Sequence, residues 1–147
     1  KKTVVQDGAP ASLGKSSNGL SVCAEMINES GQAVRNLRPN DIIRFKVTAS
    51  QNAYLAILCV DARKEETWLP LQSNYIRAGE SRIFPDISGA VLRVEEGVFG
   101  NESVKVYAAT VESDLLDQKK MMGTRAFKLA NENAATAETV IEYRVSR

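Results

Sequence analysis

The chain has 147 residues, a length that fits one domain able to bury roughly two thirds of the surface its unfolded form exposes. Its 19 Lys and Arg against 18 Asp and Glu give a net charge of +1, without the strong positive charge typical of nucleic-acid-binding proteins. No apolar run approaches the roughly 20 residues that a membrane span requires. Composition therefore predicts a soluble globular protein with no nucleic-acid partner and no transmembrane segment.

The first segment, residues 1–19, is rich in Gly, Ala, Ser and Pro. This composition is typical of a flexible leader that tethers a domain to a lipid anchor or to a neighbouring domain. A disordered terminus explains it equally well. The sequence thus predicts a leader over 1–19 and a single domain over 20–147.

Hydrophobic alternation predicts the first strands of that domain. Apolar residues alternate with polar ones over 20–26 and again over 42–49, as expected for strands with one face against a core and one face in water. Residues 53–60 are apolar without interruption, which is typical of a strand covered on both faces. Pro39-Asn40 provides the turn before the strand at 42–49, and Gln51-Asn52 provides the turn between that strand and the one at 53–60.

Further short strands follow along the chain. They are predicted at 66–69, 75–76, 82–84, 91–94, 103–111 and 139–145. Residues 75–76 and 82–84 flank a turn at Ala78-Gly79-Glu80, and Pro85 ends pairing. Ser113 before Leu115 and Leu116, with Gly123 beyond, predicts a short helix over 113–122. Residues 131–137 are interpreted as a loop or one irregular helical turn.

These elements define the predicted fold class. Seven to nine short strands with turn signals at this spacing favour an all-β, antiparallel two-sheet sandwich, and we expect an immunoglobulin-like arrangement with one short helix near 113–122. The Cys and Trp spacing of antibody domains is absent, because Trp68 follows both Cys23 and Cys59.

A series of short motifs resembles one known family. In chain order they are Leu37-Arg38-Pro39-Asn40-Asp41, Arg44-Phe45-Lys46-Val47, Asn52-Ala53-Tyr54-Leu55, Val60-Asp61, Trp68-Leu69-Pro70, Arg77-Ala78-Gly79-Glu80 and Phe84-Pro85. Their order and spacing resemble the bacterial domain of unknown function DUF4384. The resemblance implies an accessory module of the kind appended to bacterial envelope proteins, lipoproteins, repeat proteins or caspase-like peptidases. It implies no catalytic residues, and it suggests a periplasmic or outer-envelope location, with the cytoplasm as the alternative.

The chain departs from the family pattern at three places. Asn40 stands where we expect Gly in the family, and Asn is one of the few other residues that tolerate a left-handed backbone. Residues 61–65 replace the usual Asp-Gly hairpin, and Leu71-Gln72 follow Pro70 where an Asn is common, so we expect both loops to be longer or differently shaped.

Enzyme chemistry has few residues available. The chain contains no histidine, which removes the usual general base, the Ser-His and Cys-His nucleophile pairs and the commonest transition-metal ligand. Adjacent carboxylates on a strand point to opposite faces, so Glu65-Glu66 and Glu95-Glu96 are not expected to converge on a substrate. Asp114 and Asp117 share a helix face, where a solvated first turn explains them. We therefore predict a protein that is not an enzyme and that needs no cofactor or metal.

The two cysteines allow two interpretations. A disulfide between Cys23 and Cys59 would join the first strand to the central hairpin and would persist in an oxidising compartment. Cys23 lies on the polar face of its strand, however, whereas Cys59 lies in a buried run, so two separate thiols are the alternative.

A cluster of aromatic and basic residues is the best candidate for a binding site. Trp68, Tyr75 and Phe84 occur in the segment richest in turns, and Arg77 and Arg82 lie near them in sequence. Aromatic residues often anchor binding surfaces, although they also fill sandwich cores. Arg63-Lys64 also lie near these aromatic residues in sequence. Together with Arg77 and Arg82 they could form a basic rim around the binding surface, which would suit an anionic glycan or an acidic partner segment.

The resulting functional hypothesis is a non-catalytic interaction module of a bacterial envelope protein, which binds a protein partner or a cell-envelope component. The alternative is a structural subunit of a larger envelope assembly, in which sheet edges pair with neighbours. A histidine-independent hydrolase is the third possibility.

Overall fold

The computed structural model describes residues 13–115 and 133–147, with side chains from residue 16 onward. These residues form two β-sheets. The strands are β1 (Leu13–Ser16), β2 (Val22–Ile27), β3 (Asn36–Leu37), β4 (Ile42–Ala49), β5 (Ala53–Val60), β6 (Glu66–Trp68), β7 (Tyr75–Ile76), β8 (Ser81–Phe84), β9 (Leu92–Arg93), β10 (Gly100–Ala109) and β11 (Thr136–Val145).

The two central strands, β4 and β5, have the bounds that their hydrophobic patterns predict. In β4, Phe45 and Val47 are buried while Lys46 between them is exposed, as the period of two requires. In β5, four successive residues from Leu55 to Leu58 are buried, so this strand is covered on both faces. The prediction of a half-buried β4 is confirmed, and β5 is covered on both faces over residues 55–58, whereas Tyr54, Cys59 and Val60 are half-buried.

Pairing divides the strands into a larger and a smaller sheet. The larger sheet has the order β1-β11-β10-β5-β6, with β3 parallel to β11 and β7 antiparallel to β5. The smaller sheet has the order β2-β4-β8, with β9 also pairing β4. The fold is therefore an all-β sandwich of two mostly antiparallel sheets.

The connections follow the immunoglobulin pattern. The chain passes from β4 in the smaller sheet to β5 in the larger one, returns to pair β8 with β4, and then adds β10 to β5 and β11 to β10. The first strands also change sheet, because β2 pairs β4 whereas β3 pairs β11. This alternation between sheets is the Greek-key connectivity of immunoglobulin-like domains, which confirms the predicted fold class.

One hydrophobic core fills the space between the sheets. Both sheets contribute side chains that are almost completely buried, and the largest of them are Phe45, Phe84, Leu20, Met26, Leu55, Ile57, Ile76 and Ile141. Inward rows of alternating residues from facing sheets produce such a core.

Two turns show how the departures from the family pattern are accommodated. Asn40 has φ = 74°, so it adopts the left-handed conformation expected where the family has Gly. In the 61–65 loop, Lys64 has φ = 72° and the Asp61 side chain accepts backbone N–H groups from Arg63 at 2.8 Å and Glu65 at 3.0 Å. An Asp side chain thus organises the loop that replaces the usual hairpin.

Some elements differ from the sequence prediction. Residues 13–16, assigned to the leader, pair with β11 as a strand, and the Ser17 backbone N–H donates to Thr136 O at 2.9 Å. The segments 75–76 and 81–84 belong to different sheets, because the turn between them carries the chain across the sandwich. Within the predicted loop 131–137, residues 136–137 begin β11.

The predicted helix is described only at its start. Residues 112–115 are helical, one residue earlier than expected, and the remainder of the predicted span 113–122 lies outside the described residues, as does Asp117. In the part of the chain that the structure covers, no helix is long and apolar enough to cross a membrane.

Candidate functional site

The structure separates the predicted site residues into two groups. Trp68 and Tyr75 lie on the outward face of the larger sheet, half-buried and 37% exposed respectively. Arg77 is exposed at the turn that connects the sheets. Arg82 is largely buried and Phe84 is completely buried in the core. The five residues therefore do not form one surface, and only Trp68 and Tyr75 have rings available on the outer face.

Arg82 is a structural residue. Its guanidinium donates to the backbone carbonyls of Ser73 at 2.7 Å and Tyr75 at 2.9 Å, and it forms a salt bridge with Asp86. It also lies 4.7 Å from the centre of the Phe84 ring. These contacts attach the loop 69–74 to the smaller sheet and leave Arg82 little capacity to bind a ligand.

Asp86 completes this attachment. Its carboxylate accepts the backbone N–H groups of Gln72 at 2.7 Å and Ser73 at 3.0 Å in addition to the Arg82 guanidinium. Desolvation raises the pKa of Asp86, but these hydrogen bonds outweigh it, so its pKa lies below the usual value. The loop is thus held in place by an ionised carboxylate.

The rings that remain on the outer face form two pairs. Trp68 and Tyr107 have ring centroids 5.9 Å apart, and Tyr54 and Tyr75 meet edge to face at 5.2 Å. Tyr54 and Tyr107 point outward because their chain neighbours Leu55 and Val106 point inward. Tyr75 is the cross-strand partner of Tyr54, and Trp68 contacts Tyr107, so both pairs lie on the outward side of the larger sheet. We call Tyr54, Trp68, Tyr75 and Tyr107 the aromatic face.

Sequence analysis missed Tyr54 and Tyr107. Each stands out of phase with the inward residues of its own strand, so alternation alone indicates that it points outward. Their proximity to Trp68 and Tyr75 depends on the pairing of β5 with β10 and with both edge strands. No local pattern in the sequence specifies those pairings.

Small and apolar residues support the aromatic face from beneath. Ala56, Ala109 and Leu115 are buried in a cluster separate from the main core, and Tyr54, Trp68 and Tyr107 pack against it. The alanines leave room between the rings, so the rings remain partly exposed.

A cleft of about 550 Å³ adjoins the aromatic face. Trp68, the loop 69–74, Glu112 and Leu115 line it, and Ala56 contributes to its wall. The loop that Arg82 and Asp86 hold in place therefore forms one side of this cleft. A concave, partly apolar surface with fixed walls has the general character of a binding site.

Among the described residues, the charges next to the aromatic face are mainly acidic, unlike the basic rim inferred from the sequence. Glu138 is the cross-strand neighbour of Tyr107, and Glu66 lies two residues before Trp68 on β6. Burial and then the charges of Glu138 and Glu66 raise the pKa of Tyr107. Arg63 is occupied elsewhere, since it forms salt bridges with Asp61 at 2.9 Å and Glu65 at 3.3 Å. Of the basic residues inferred to form the rim, Arg63 and Arg82 are thus engaged in salt bridges, whereas Lys64 and Arg77 are exposed.

A second polar region lies at the opposite end of the larger sheet. The Tyr143 hydroxyl donates to Glu102 at 2.9 Å, and the Ala62 backbone N–H donates to the same carboxylate at 3.2 Å. Burial and then Glu102 raise the pKa of Tyr143 well above its ordinary value, so its proton is retained. A cleft of about 430 Å³ adjoins this pair. The polar groups at this end satisfy one another, as expected of a structural contact.

Both cysteines are free thiols in the structure. Cys23 lies on the outward face of β2 in the smaller sheet, whereas Cys59 points inward from β5 in the larger sheet. Burial and then the charge of Glu102 raise the pKa of Cys59 to about 11, which disfavours the nucleophilic thiolate. The arrangement corresponds to two separate thiols and not to a disulfide between the sheets.

The carboxylate pairs considered for catalysis diverge. Glu95 contacts Arg63 at 3.7 Å, whereas Glu96 accepts a hydrogen bond from the Asn40 side chain at 2.9 Å. Among the described residues, 13–115 and 133–147, no group of three or more Cys, Asp or Glu side chains is arranged to hold a metal ion.

Comparison with known proteins gives one match. The family model described as a domain of unknown function, DUF4384, matches residues 36–112, which is more than half of the chain. No curated protein and no solved structure matches. The matched region runs from β3 through β10 and includes the strands that carry the aromatic face. The chain belongs to the DUF4384 family.

Proposed function

We propose that this protein is a non-catalytic interaction module of a bacterial envelope protein, and that its aromatic face binds a protein partner or a cell-envelope component. The observation that carries the proposal is the pair of ring contacts, Trp68 with Tyr107 and Tyr54 with Tyr75, on an outward face where the rings pack on a small separate cluster and stay partly exposed. Rigid, partly exposed aromatic side chains are the residues that contribute most energy at binding surfaces.

The loop 69–74 strengthens the proposal. Asp86 and Arg82 fix this loop beside Trp68 through buried charged groups, so one wall of the cleft is formed before a partner arrives. A preformed site loses less conformational freedom on binding than a flexible one. The envelope setting is supported by the family resemblance, with the cytoplasm as the alternative.

Affinity capture with matched variants tests the proposal. The tagged full chain is incubated with solubilised envelopes and with cytosol of its host, and bound proteins are identified by mass spectrometry. We expect envelope proteins that the wild type retains to be lost with Tyr75→Ala and with Trp68→Ala. The control is Ile83→Ala, which removes an exposed apolar side chain from the smaller sheet.

Two outcomes contradict the proposal. One is retention of the same partners by Tyr75→Ala and Trp68→Ala at wild-type levels, with circular dichroism showing folded variants. The other is equal loss with Ile83→Ala, which would move the binding surface to the smaller sheet.

A structural subunit is the second candidate, and the edge of the smaller sheet favours it. Among the described residues, strand β2 pairs with β4 on one side, and its other side is open to strand addition except at the bridge between Ile27 and Ala33. The turn after β2 covers the end of this edge, because the Val34 N–H donates to Met26 O at 2.9 Å. Oligomers that increase with protein concentration would support this function.

A further inference from the structure

The acidic groups around the aromatic face indicate what kind of partner it binds. Glu138 is the cross-strand neighbour of Tyr107, and Glu66 lies two residues before Trp68 on the edge strand β6. Glu112 lies at the other end, where it accepts a hydrogen bond from the Asn74 side chain at 3.0 Å beside the cleft. Carboxylates therefore stand at both ends of the aromatic face.

Among the residues that the structure describes, basic groups on the same side of the sheet do not balance these carboxylates. Lys105 lies on the outward side of β10 between Leu58 and Val140. Arg144 is further along β11 and donates to Asn101 at 3.2 Å. Arg82, behind the loop, is neutralised by Asp86. Lys105 is two residues from Tyr107, yet among the described side chains near the rings the three glutamates Glu66, Glu112 and Glu138 outnumber it, so this surface carries an excess of negative charge.

Aromatic rings and carboxylates together favour one ligand chemistry. A Lys ammonium or an Arg guanidinium is attracted to the face of Trp or Tyr, and an adjacent carboxylate adds a charged hydrogen bond. The apolar stems of these side chains can also pack on the rings. An anionic ligand, by contrast, would face repulsion from the glutamates.

We propose that the aromatic face binds a Lys- or Arg-bearing segment of a protein partner, with the cationic side chains over Trp68 and Tyr107 and next to Glu66 and Glu138. The inference rests on the proposed function and specifies the chemistry of its partner. A neutral glycan is an outcome of the test.

Peptide binding to the full chain tests the inference. The probe is a fluorescein-labelled decapeptide of alternating Gly and Arg, compared with Gly-Glu and Gly-Ser peptides of the same length. We expect the Arg peptide alone to raise fluorescence anisotropy, and the binding to weaken as salt increases from about 0.05 M to about 0.5 M. Equal binding of all three peptides, or binding of none, overturns the inference.

Glutamate variants locate the site. Glu66→Gln and Glu138→Gln should each raise the Kd of the Arg peptide by about fivefold, and Trp68→Ala by about tenfold. The matched control is Glu29→Gln, an exposed glutamate in the turn after β2, which should leave the Kd unchanged. An equal effect of Glu29→Gln would show nonspecific charge attraction and would overturn the inference.

Failure of the inference can be distinguished from failure of the proposed function. If Tyr75→Ala abolishes partner capture but the Arg peptide does not bind, or a chito-oligosaccharide binds instead, the aromatic face is a binding site for another ligand. If neither capture nor peptide binding depends on these rings, both proposals fail.

Discussion

The outer faces of the two sheets differ although both sheets bury the same kind of inward row. The larger sheet presents Trp68, Tyr107 and Tyr54 on its outer side, with a cleft beside them. The smaller sheet presents mainly polar and charged side chains, for example Lys46 opposite Glu25. The inward rows explain the fold, so we look for a specific function in the outward rows, and among the described residues the outward row of the larger sheet is the one we propose for binding.

The contrast between inward and outward positions is sharpest within β8, and it gives the largest predicted effect. Phe84 is completely buried whereas Ile83, its neighbour, is 40% exposed. Phe84→Ala should lower the free energy of unfolding by about 4 kcal/mol because it leaves a cavity in the core. Ile83→Ala should change it by less than about 1 kcal/mol. Urea unfolding measures both, and similar losses would contradict the assignment of faces.

The next effect concerns the residues that hold the loop beside the aromatic face. Asp86→Ala should cost about 3 kcal/mol, because it leaves Arg82 and the backbone N–H groups of Gln72 and Ser73 without their carboxylate. The measurement is again urea unfolding near neutral pH. Exposed Asp41→Ala, which removes a single side-chain hydrogen bond to the Arg38 N–H, is the control and should cost about 1 kcal/mol.

This contribution should depend on pH. The pKa of Asp86 is lowered in the folded state, so its stabilisation is present above the ordinary Asp pKa of about 4 and is lost as pH falls through the folded value. The difference in stability between wild type and Asp86→Asn should therefore shrink as pH is lowered from about 6 to about 2. A difference that grew towards acid would contradict the direction of the shift.

A smaller effect is expected at the polar end of the larger sheet. Tyr143→Phe removes the hydroxyl that donates to Glu102, but the carboxylate still accepts the hydrogen bond from the Ala62 N–H. The free energy of unfolding should therefore fall by about 1.5 kcal/mol. The double variant with Glu102→Gln should be less destabilised than the sum of the single variants, as for any contacting pair. Strict additivity in the double-mutant cycle would show that the two side chains do not interact.

The smallest effect on stability is expected at the aromatic face itself. Tyr75→Ala removes a 37% exposed ring, so the free energy of unfolding should change by no more than about 1 kcal/mol. Partner capture should nevertheless fall at least about tenfold, since exposed aromatic anchors commonly contribute 2 kcal/mol or more to binding. A large loss of stability without a loss of capture would make the ring a structural element.

Much of the fold could be predicted because its signals are local. The alternation in β4 and the continuous apolar run in β5 predict both strands with the bounds that the structure shows. The residue type of Asn40 likewise predicts the left-handed backbone at that turn. The pairing of β7 with β5 and of β8 with β4 could not be predicted in this way. Residues 75–84 look like one local unit, and only the tertiary structure distributes them between two sheets.

Only part of the candidate site could be predicted, because its residues come together through strand pairings that no local sequence signal specifies. Trp68 and Tyr75 were identified from their aromatic character, but Arg82 and Phe84 lie nearby in sequence and point inward. Tyr107 completes the face from a strand far along the chain. The charge of the surface also depends on distant residues, because Glu138 approaches Tyr107 only through the pairing of β10 with β11.

The most direct test of the aromatic face as the interaction surface is photo-crosslinking in the host cell. A benzophenone amino acid replaces Tyr75 in one variant and Ile83 in the other, two exposed positions on opposite faces of the sandwich. Irradiation should yield discrete crosslinked partners from position 75 and none from position 83. Equal crosslinking from both positions, or crosslinking from position 83 alone, would contradict the assignment of function to the outer face of the larger sheet.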